Sequence, residues 1–555
     1  MPTPEDTNCE PTTTPPLAGT RRAVRRALRA GFYLVFTVVW LAVAVVALET
    51  FEQGRSFLEN RLYKRYFEEQ SKKVYRMVPE EELRKSNTQF SPSKNEDVFS
   101  PSTVAPAQPV TADKEKAREA YAAQSEENLN VILALQNELL LEFDRSGRLL
   151  STHGDPLFER FLAEEIRAKG DGFIFEGWQP AYVAVRTATA PVTVDCKLPC
   201  LELSGITMFY KAMVTPIVSP DGSIQRVQML LRNVSFQLPP EQLLTNPGLV
   251  QPDSPFIIPY FLYKRNWSKP GAIASYNNFG FRDRDVVVPK PAGVVRIVCI
   301  GGSTTEEGNS NDKTYPRLLE TKLRTWFGTD RVEVINCGII GLMSDSERMR
   351  MPDFLVLQPD LILHYNAIND IYHFDFPIWQ KEMSRRLRLM AKSKFLLRHF
   401  NRRFLPSDES IIRLLRKTSF RNIKAMNYAV REQGAEMACC SFASPTVSWW
   451  ELRDRIFLDM NMRNVWNSQA LDFGSYRHVL AIYNRLLKET CEGEGIHYVP
   501  VAENMRAGMD HFFDVCHVTP VGMELKVNII GAYVKDYVQR KLAETPPQGQ
   551  VSDGR

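Results

Sequence analysis

The sequence is short of charge imbalance, of cysteine and of the glycine loops and histidine pairs that mark many enzymes. Lys and Arg number 69 against 65 Asp and Glu, a net charge of +4 over 555 residues. So slight an excess argues against a nucleic-acid partner, and no zinc-finger or basic-zipper spacing supports one. Nine cysteines over this length do not make a disulfide scaffold. There is no H-E-x-x-H and no Cys/His zinc spacing, so no metal is expected. There is no G-x-G-x-x-G, and no glycine loop followed by a P-loop lysine, so no cofactor is expected. Hydrophobic residues at 44% and charged residues at 24% exclude a wholly disordered chain, a collagen-like fibre and a multi-span membrane protein.

Long apolar runs are scarce as well, and the one present is informative. Gly31 to Leu48 carries no charge. At about 1.5 Å per residue it spans roughly 27 Å, close to the hydrocarbon core of a bilayer. Arg21, Arg22, Arg25, Arg26 and Arg29 precede it. The positive-inside rule then keeps the N-terminus cytoplasmic and exports the rest to a periplasm or the cell exterior. The run exceeds an ordinary signal-peptide core and lacks a small-x-small cleavage site, which favours an uncleaved anchor in the inner (cell) membrane. In that compartment Cys196 and Cys200 are either a disulfide pair or two free thiols.

Composition shifts divide the chain. A basic cytoplasmic tail (1–30) and the anchor (31–49) lead into a charged amphipathic stretch (50–77) with Phe57, Leu58, Leu62, Tyr66 and Phe67. It is expected to leave the bilayer as a helix, with pairing to a second copy left open. A linker rich in Pro, Ser, Thr and Gln (78–112) follows. Residues 113–236 read as a smaller α+β unit with two hairpins, turning at Ser146-Gly147 and at Pro220-Asp221-Gly222. Residues 237–293 form an irregular connector. Residues 294–542 alternate short apolar strands (VVRIVCI, VEVINC, DLILHY, AEMACCSF, HYVPV) with helical stretches, as a parallel sheet flanked by helices requires. A short tail (543–555) is expected to be disordered.

Polar residues cluster just past these strands, where an open α/β sheet binds ligands. The first strand runs into Gly301-Gly302-Ser303-Thr304-Thr305, placing Ser303 at a helix start, either as a nucleophile or as a simple cap. The second ends at Asn336-Cys337-Gly338, with Gly341 beyond. There Gly338 either serves the turn or presents its N–H to a substrate oxygen. The third ends at Asn366-Ala367-Ile368-Asn369-Asp370, where Asn369 either caps a helix or donates an oxyanion N–H. Near the end, Asp514 and His517 are three residues apart in Asp514-Val515-Cys516-His517, so one turn can orient the imidazole.

These four stretches together resemble the SGNH hydrolases, the GDSL esterase/lipase superfamily, over about 250 residues. The resemblance places Ser303 on the nucleophile block, Gly338 on the glycine block, Asn369 on the asparagine block, and Asp514 with His517 on the D-x-x-H block. Ala367 departs from the glycine usual there. The resemblance implies a flavodoxin-like three-layer α/β/α domain with a catalytic triad of Ser303, His517 and Asp514. It also implies an oxyanion hole from the Ser303 and Gly338 N–H groups and the Asn369 amide. The middle unit is similar, in pattern alone, to a PAS sensor domain, and no ligand residue is assigned to it.

The functional expectation is a membrane-anchored, exported serine esterase acting on an acyl ester, in the first place an acetyl ester of an envelope glycan. Acyl transfer by the same residues is the second reading, and a non-catalytic envelope sensor is the third. Residues 381–424 hold 14 basic and three acidic residues. This insertion is read as a lipid-binding or glycan-facing segment, or as a solvated helix face. Trp449 and Trp450 are read as core or interface aromatics, or as a sugar platform. Cys439 and Cys440 are expected to be buried.

Overall fold

In the computed structural model the described residues are 17–75, 133, 138–153, 179–199, 207–219, 221–233, 256–257, 262–268, 273–376, 378–379, 383–464 and 472–544. The linker 78–112, residues 113–132 and 134–137 that open the α+β unit, Cys200 and residues 545–555 lie outside them. So do parts of the connector and the start of the basic insertion.

A single uninterrupted helix, α1 (Leu17–Tyr75), carries the apolar run and continues well beyond it. The run itself is exposed along its whole length. After Leu48 the helix changes role. Glu52, Glu59, Tyr63, Tyr66 and Gln70 are buried, a stripe that faces the C-terminal unit of the same chain. Of the apolar residues expected on an amphipathic face, Tyr66 and Phe67 pack against that unit, whereas Phe57, Leu58 and Leu62 stay exposed.

The middle unit is a five-stranded antiparallel sheet in the order β2-β1-β5-β4-β3. Its strands are β1 (Glu138–Phe143), β2 (Leu149–His153), β3 (Val192–Pro199), β4 (Thr207–Val218) and β5 (Ile224–Asn233). Helix α2 (Gln179–Thr187) buries Ala181, Tyr182, Ala184 and Val185 in its core. Both expected hairpins are present, with Gly147 and Gly222 in the left-handed region that a tight turn requires. Val227, Met229 and Leu231 on β5 are fully buried at every second position, the period of a strand with one covered face.

A two-residue hairpin, β6 (Phe256–Ile257) with β7 (Leu262–Tyr263), precedes the C-terminal unit. That unit is α/β, with five parallel strands in the order β12-β11-β10-β8-β9. They are β8 (Val295–Gly301), β9 (Val332–Gly338), β10 (Leu361–Tyr365), β11 (Glu436–Cys440) and β12 (His497–Val499), and they match the five strands read from the sequence. Every residue of β8 and β10 is buried, because helices cover both faces. The helices used below are α3 (Ser303–Glu306), α4 (Tyr315–Phe327), α5 (Ser344–Met349), α6 (Lys394–His399), α7 (Ser419–Glu432), α8 (Leu452–Asn464), α9 (Phe473–Glu494) and α10 (Pro520–Glu544). Cys439 and Cys440 are buried, whereas Trp449 and Trp450 are exposed and stack edge-on with each other.

The connector is irregular yet part of this unit's core. Tyr263, Tyr276, Phe281 and Val286 are buried in the same hydrophobic cluster as the parallel strands. Arg284 holds Glu320 of α4 by two hydrogen bonds, and Asp283 accepts the Asn336 N–H of β9. Burial pushes the Asp283 carboxyl up to about 6, against the N–H groups of Asn336 and Arg284 that favour its charge.

Candidate active site

β8 pairs with β9 on one side and with β10 on the other, so the connection from β8 to β9 and the one from β9 back to β10 run in opposite directions along the sheet. Such a switch point opens a crevice at the carboxyl ends of the strands. The turn after β8 and the turn after β10 meet there. A Cβ on Gly301 would come 2.4 Å from the Tyr365 carbonyl oxygen, and one on Gly302 would come 2.3 Å from Asn369 Nδ2. Gly301 is therefore needed for the chain to leave β8 against the backbone end of β10, whereas a methyl on Gly302 would meet only the end of the Asn369 side chain.

Gly302 is the N-cap of α3 and Ser303 its first residue. The Ser303 hydroxyl does not cap the helix. It lies 2.8 Å from His517 Nε2. His517 Nδ1 lies 2.8 Å from Asp514 Oδ2, while Asp514 Oδ1 accepts the N–H groups of Cys516 at 2.9 Å and His517 at 2.8 Å. A bridge between Phe512 and Val518, and the Phe513 N–H donated to the His517 carbonyl, close this loop into one rigid turn. Thus Ser303 joins His517 and Asp514, more than 200 residues away in sequence, in one continuous hydrogen-bonded relay.

The charges in this relay are coupled. Burial works to raise the Asp514 pKa, but the facing imidazole and the two N–H donors outweigh it and hold the carboxyl below its usual range. Burial works to lower the His517 pKa, and the Asp514 carboxylate outweighs that and raises it well above the ordinary imidazole value. Cys516 Sγ approaches His517 Nδ1 at 3.5 Å, but burial pushes its thiol up to about 12, so it stays protonated at neutral pH.

The expected oxyanion donors divide. The Ser303 N–H has no acceptor among the described residues. Asn369 gives one amide hydrogen to the Leu342 carbonyl at 3.0 Å and retains the second. Gly338 does not fit its expected part. Its N–H is donated to Asn336 Oδ1 at 3.0 Å, and it is buried where a Cβ would come 2.4 Å from the Glu306 N–H nitrogen. Its lack of a side chain lets β9 pack against α3. Gly341, at φ 74°, is partly exposed, and no acceptor among the described residues takes its N–H. It adjoins Leu342, whose carbonyl also accepts from Asn366 Nδ2 at 2.7 Å. Ala367 is buried without a positive φ, so the departure from glycine introduces no backbone strain.

Further residues support the site that the sequence reading did not name. The Glu306 carboxylate, on α3, is buried and accepts from Tyr263 Oη at 2.6 Å, Tyr276 Oη at 3.1 Å and the Ile340 N–H at 3.0 Å. Burial pushes its pKa up, against these donors and Arg282. Arg282 donates to the Glu306 and Gly308 carbonyls. Lys526 of α10, fully buried, donates to the Thr304 carbonyl at 2.9 Å and Glu307 Oε1 at 2.6 Å, and Glu307 Oε2 accepts the Val518 N–H at 3.0 Å. Lys526 and Glu307 thereby tie the Ser303 turn to the residue following His517. A lysine set between Leu525 and Val527 in the mostly apolar stretch Val521–Ile530, which also holds Glu524 and Asn528, was the available sequence signal. No spacing rule links Tyr263 or Tyr276 to Glu306. A groove of ≈540 Å³ runs along α1 and α8, lined by Leu62, Tyr66, Leu452 and Ile456, and does not include the relay.

No family model matches the chain, and no curated protein matches it. Solved structures do, over less than half of its length. An alpha/beta hydrolase enzyme from the metagenome of Lake Arreo shares 18% identity, covering 44% of this chain and 96% of that one at a TM-score of 0.26. A GDSL-like lipase from Bacteroides thetaiotaomicron shares 15%, covering 44% and 88% at 0.25. An acetylxylan esterase from Geobacillus stearothermophilus, solved as a catalytic mutant, shares 12%, covering 46% and 96% at 0.28.

Proposed function

We propose that the C-terminal unit is a serine ester hydrolase of the SGNH type. The observation that carries this reading is the relay Ser303 Oγ, His517 Nε2, His517 Nδ1 and Asp514 Oδ2, with both separations at 2.8 Å. A binding protein needs no such alignment of hydroxyl, imidazole and carboxylate. Ser303 Oγ attacks the ester carbonyl as its proton passes to His517 Nε2. The Ser303 N–H and the free Asn369 amide hydrogen meet the developing oxyanion, and the Gly341 N–H takes the part expected of Gly338. The carbonyl–alkoxy bond breaks as His517 returns the proton to the leaving alcohol. Water, deprotonated by His517, then releases the acyl group. Asp514 holds the imidazole tautomer and stabilises the imidazolium throughout.

The substrate reading is an acyl ester, in the first place an acetyl ester, of an envelope glycan or similar molecule. The anchor reading rests on the exposed apolar run Gly31–Leu48 within α1, preceded by five arginines. If a sugar hydroxyl rather than water accepts the acyl group, the same residues perform acyl transfer. The test compares the full chain with Ser303→Ala on p-nitrophenyl esters of increasing acyl length. Activity is expected to fall on the order of 10⁵-fold or more in the variant, with unchanged circular dichroism and a preference for acetate. Equal activity in both forms would overturn the nucleophile assignment. Acyl transfer to an added glycan, with no release to water, would select the second reading.

A further inference from the structure

We infer that the basic segment from Arg385 to Arg403 is a foot that rests on anionic lipid headgroups. This builds on the anchored reading above. The sequence separates this segment from the apolar run by more than 330 residues, and the fold brings them together. α1 continues without a break out of the run, and Glu49 is the first charged residue after Leu48. The Glu49 carboxylate accepts from Ser393 Oγ, from the Lys394 N–H at 3.1 Å and from the Phe395 N–H at 3.4 Å. One turn on, Glu52 holds Arg398 at 2.7 Å and His399 at 2.9 Å, and Glu59 holds Arg398 as well.

These contacts fix the height of the segment. At about 1.5 Å per residue, Glu49 stands about 1.5 Å and Glu52 about 6 Å along the axis from the last apolar residue. A headgroup layer is about 5–8 Å deep on each side of the core. Residues 393–399, which make these contacts, are therefore held close to headgroup level beside α1.

Its chemistry suits that place. Arg385, Arg386, Arg388, Lys392, Arg402 and Arg403 are exposed, and no acidic residue occurs from Met383 to Ser407. Leu389, 68% exposed, and Phe400, 44% exposed, stand among them. Exposed apolar side chains set between arginines are costly in water and favourable where acyl chains meet headgroups. Ser384 and Ser393 cap the two short helices of the segment, so the charges form a shaped array. An acidic glycan would answer the charges but neither the exposed Leu389 and Phe400 nor the height.

The test uses the full chain in nanodiscs of phosphatidylcholine, with and without one third phosphatidylglycerol. Hydrogen–deuterium exchange is followed over residues 385–403. Exchange is expected to slow at least about threefold only in the anionic discs, as anionic headgroups hold basic interfacial segments. The protection should vanish in the triple variant Arg385→Glu, Arg386→Glu, Arg388→Glu, while residues 536–544 stay unchanged throughout. Equal exchange in both discs overturns the foot. So does protection that appears with a soluble polyanionic glycan on neutral discs and not with phosphatidylglycerol. An alkaline carbonate wash of native membranes separates the two readings. Release of the full chain overturns the anchor itself, whereas retention without lipid-dependent protection overturns the foot alone.

Discussion

The middle and C-terminal units each fold around five strands, but among the described residues only the C-terminal one gathers hydroxyl, imidazole and carboxylate at its strand ends. In the antiparallel sheet, neighbouring strands end at opposite edges, so the loops are shared between the two. Among the described residues, Glu142 of this sheet is half-buried, accepts from Gln228 and faces the exposed Arg226. In the parallel sheet all strands point one way, so the turns after β8, β9 and β10 reach one edge and meet the loop before α10. Helices on both faces then bury the charges that support these turns, such as Lys526 and Glu306. Strand direction thus decides where chemistry can assemble, and burial decides what its supporting charges are worth.

The largest expected effect tests the relay that this edge assembles. Asp514→Asn should keep the fold and lower kcat on the order of 10⁴-fold, because the imidazole loses its tautomer and its countercharge. The same variant sharpens the pH argument. Asp514 raises the His517 pKa, so kcat/KM in the native protein should rise with pH through a midpoint above the ordinary imidazole value of about 6.5. In Asp514→Asn that midpoint should move to lower pH. A midpoint unmoved by the substitution would break the proposed coupling.

Next in size is the contrast in buried charge. Lys526→Met leaves Glu307 without its partner in the interior, and urea denaturation should show a loss of about 3–5 kcal/mol. Arg226→Ala in the middle sheet, where the arginine is exposed, should cost no more than about 1 kcal/mol. Equal costs would contradict the difference drawn between the two sheets.

A subtler expectation concerns Gly302→Ala. The added methyl meets Asn369 Nδ2, the movable end of a side chain, so stability should change little. The displaced amide should still lower kcat on the order of 10²-fold, as loss of an oxyanion donor does. A pure rise in KM at constant kcat would instead mark Gly302 as part of substrate binding.

Much of the parallel sheet was legible in the sequence, since short apolar strands bounded by glycine and asparagine leave few alternatives. The spacing of Asp514 and His517 also carried their mutual geometry, because three residues in one turn suffice. The choice between Gly338 and Gly341 was not legible. Gly338 ends β9 and Gly341 lies three residues beyond it, and only the hydrogen bond from the Gly338 N–H to Asn336 shows that the first of these N–H groups is occupied. The connector's part in the core depends on pairing Tyr263 and Tyr276 with Glu306 across 43 and 30 residues, which no local pattern encodes. The docking of α1 was hidden for the same reason. Its buried stripe of Glu52, Glu59, Tyr63, Tyr66 and Gln70 mixes charge with aromatic side chains and reads locally as a solvated face.

The most direct measurement treats the full chain with a fluorophosphonate, which phosphonylates an activated serine, and maps the adduct by peptide mass spectrometry. The expected result is one adduct on the peptide containing Ser303, lost in His517→Ala. An adduct on another serine, or labelling of Ser303 that persists without His517, would contradict the relay as the source of its nucleophilicity.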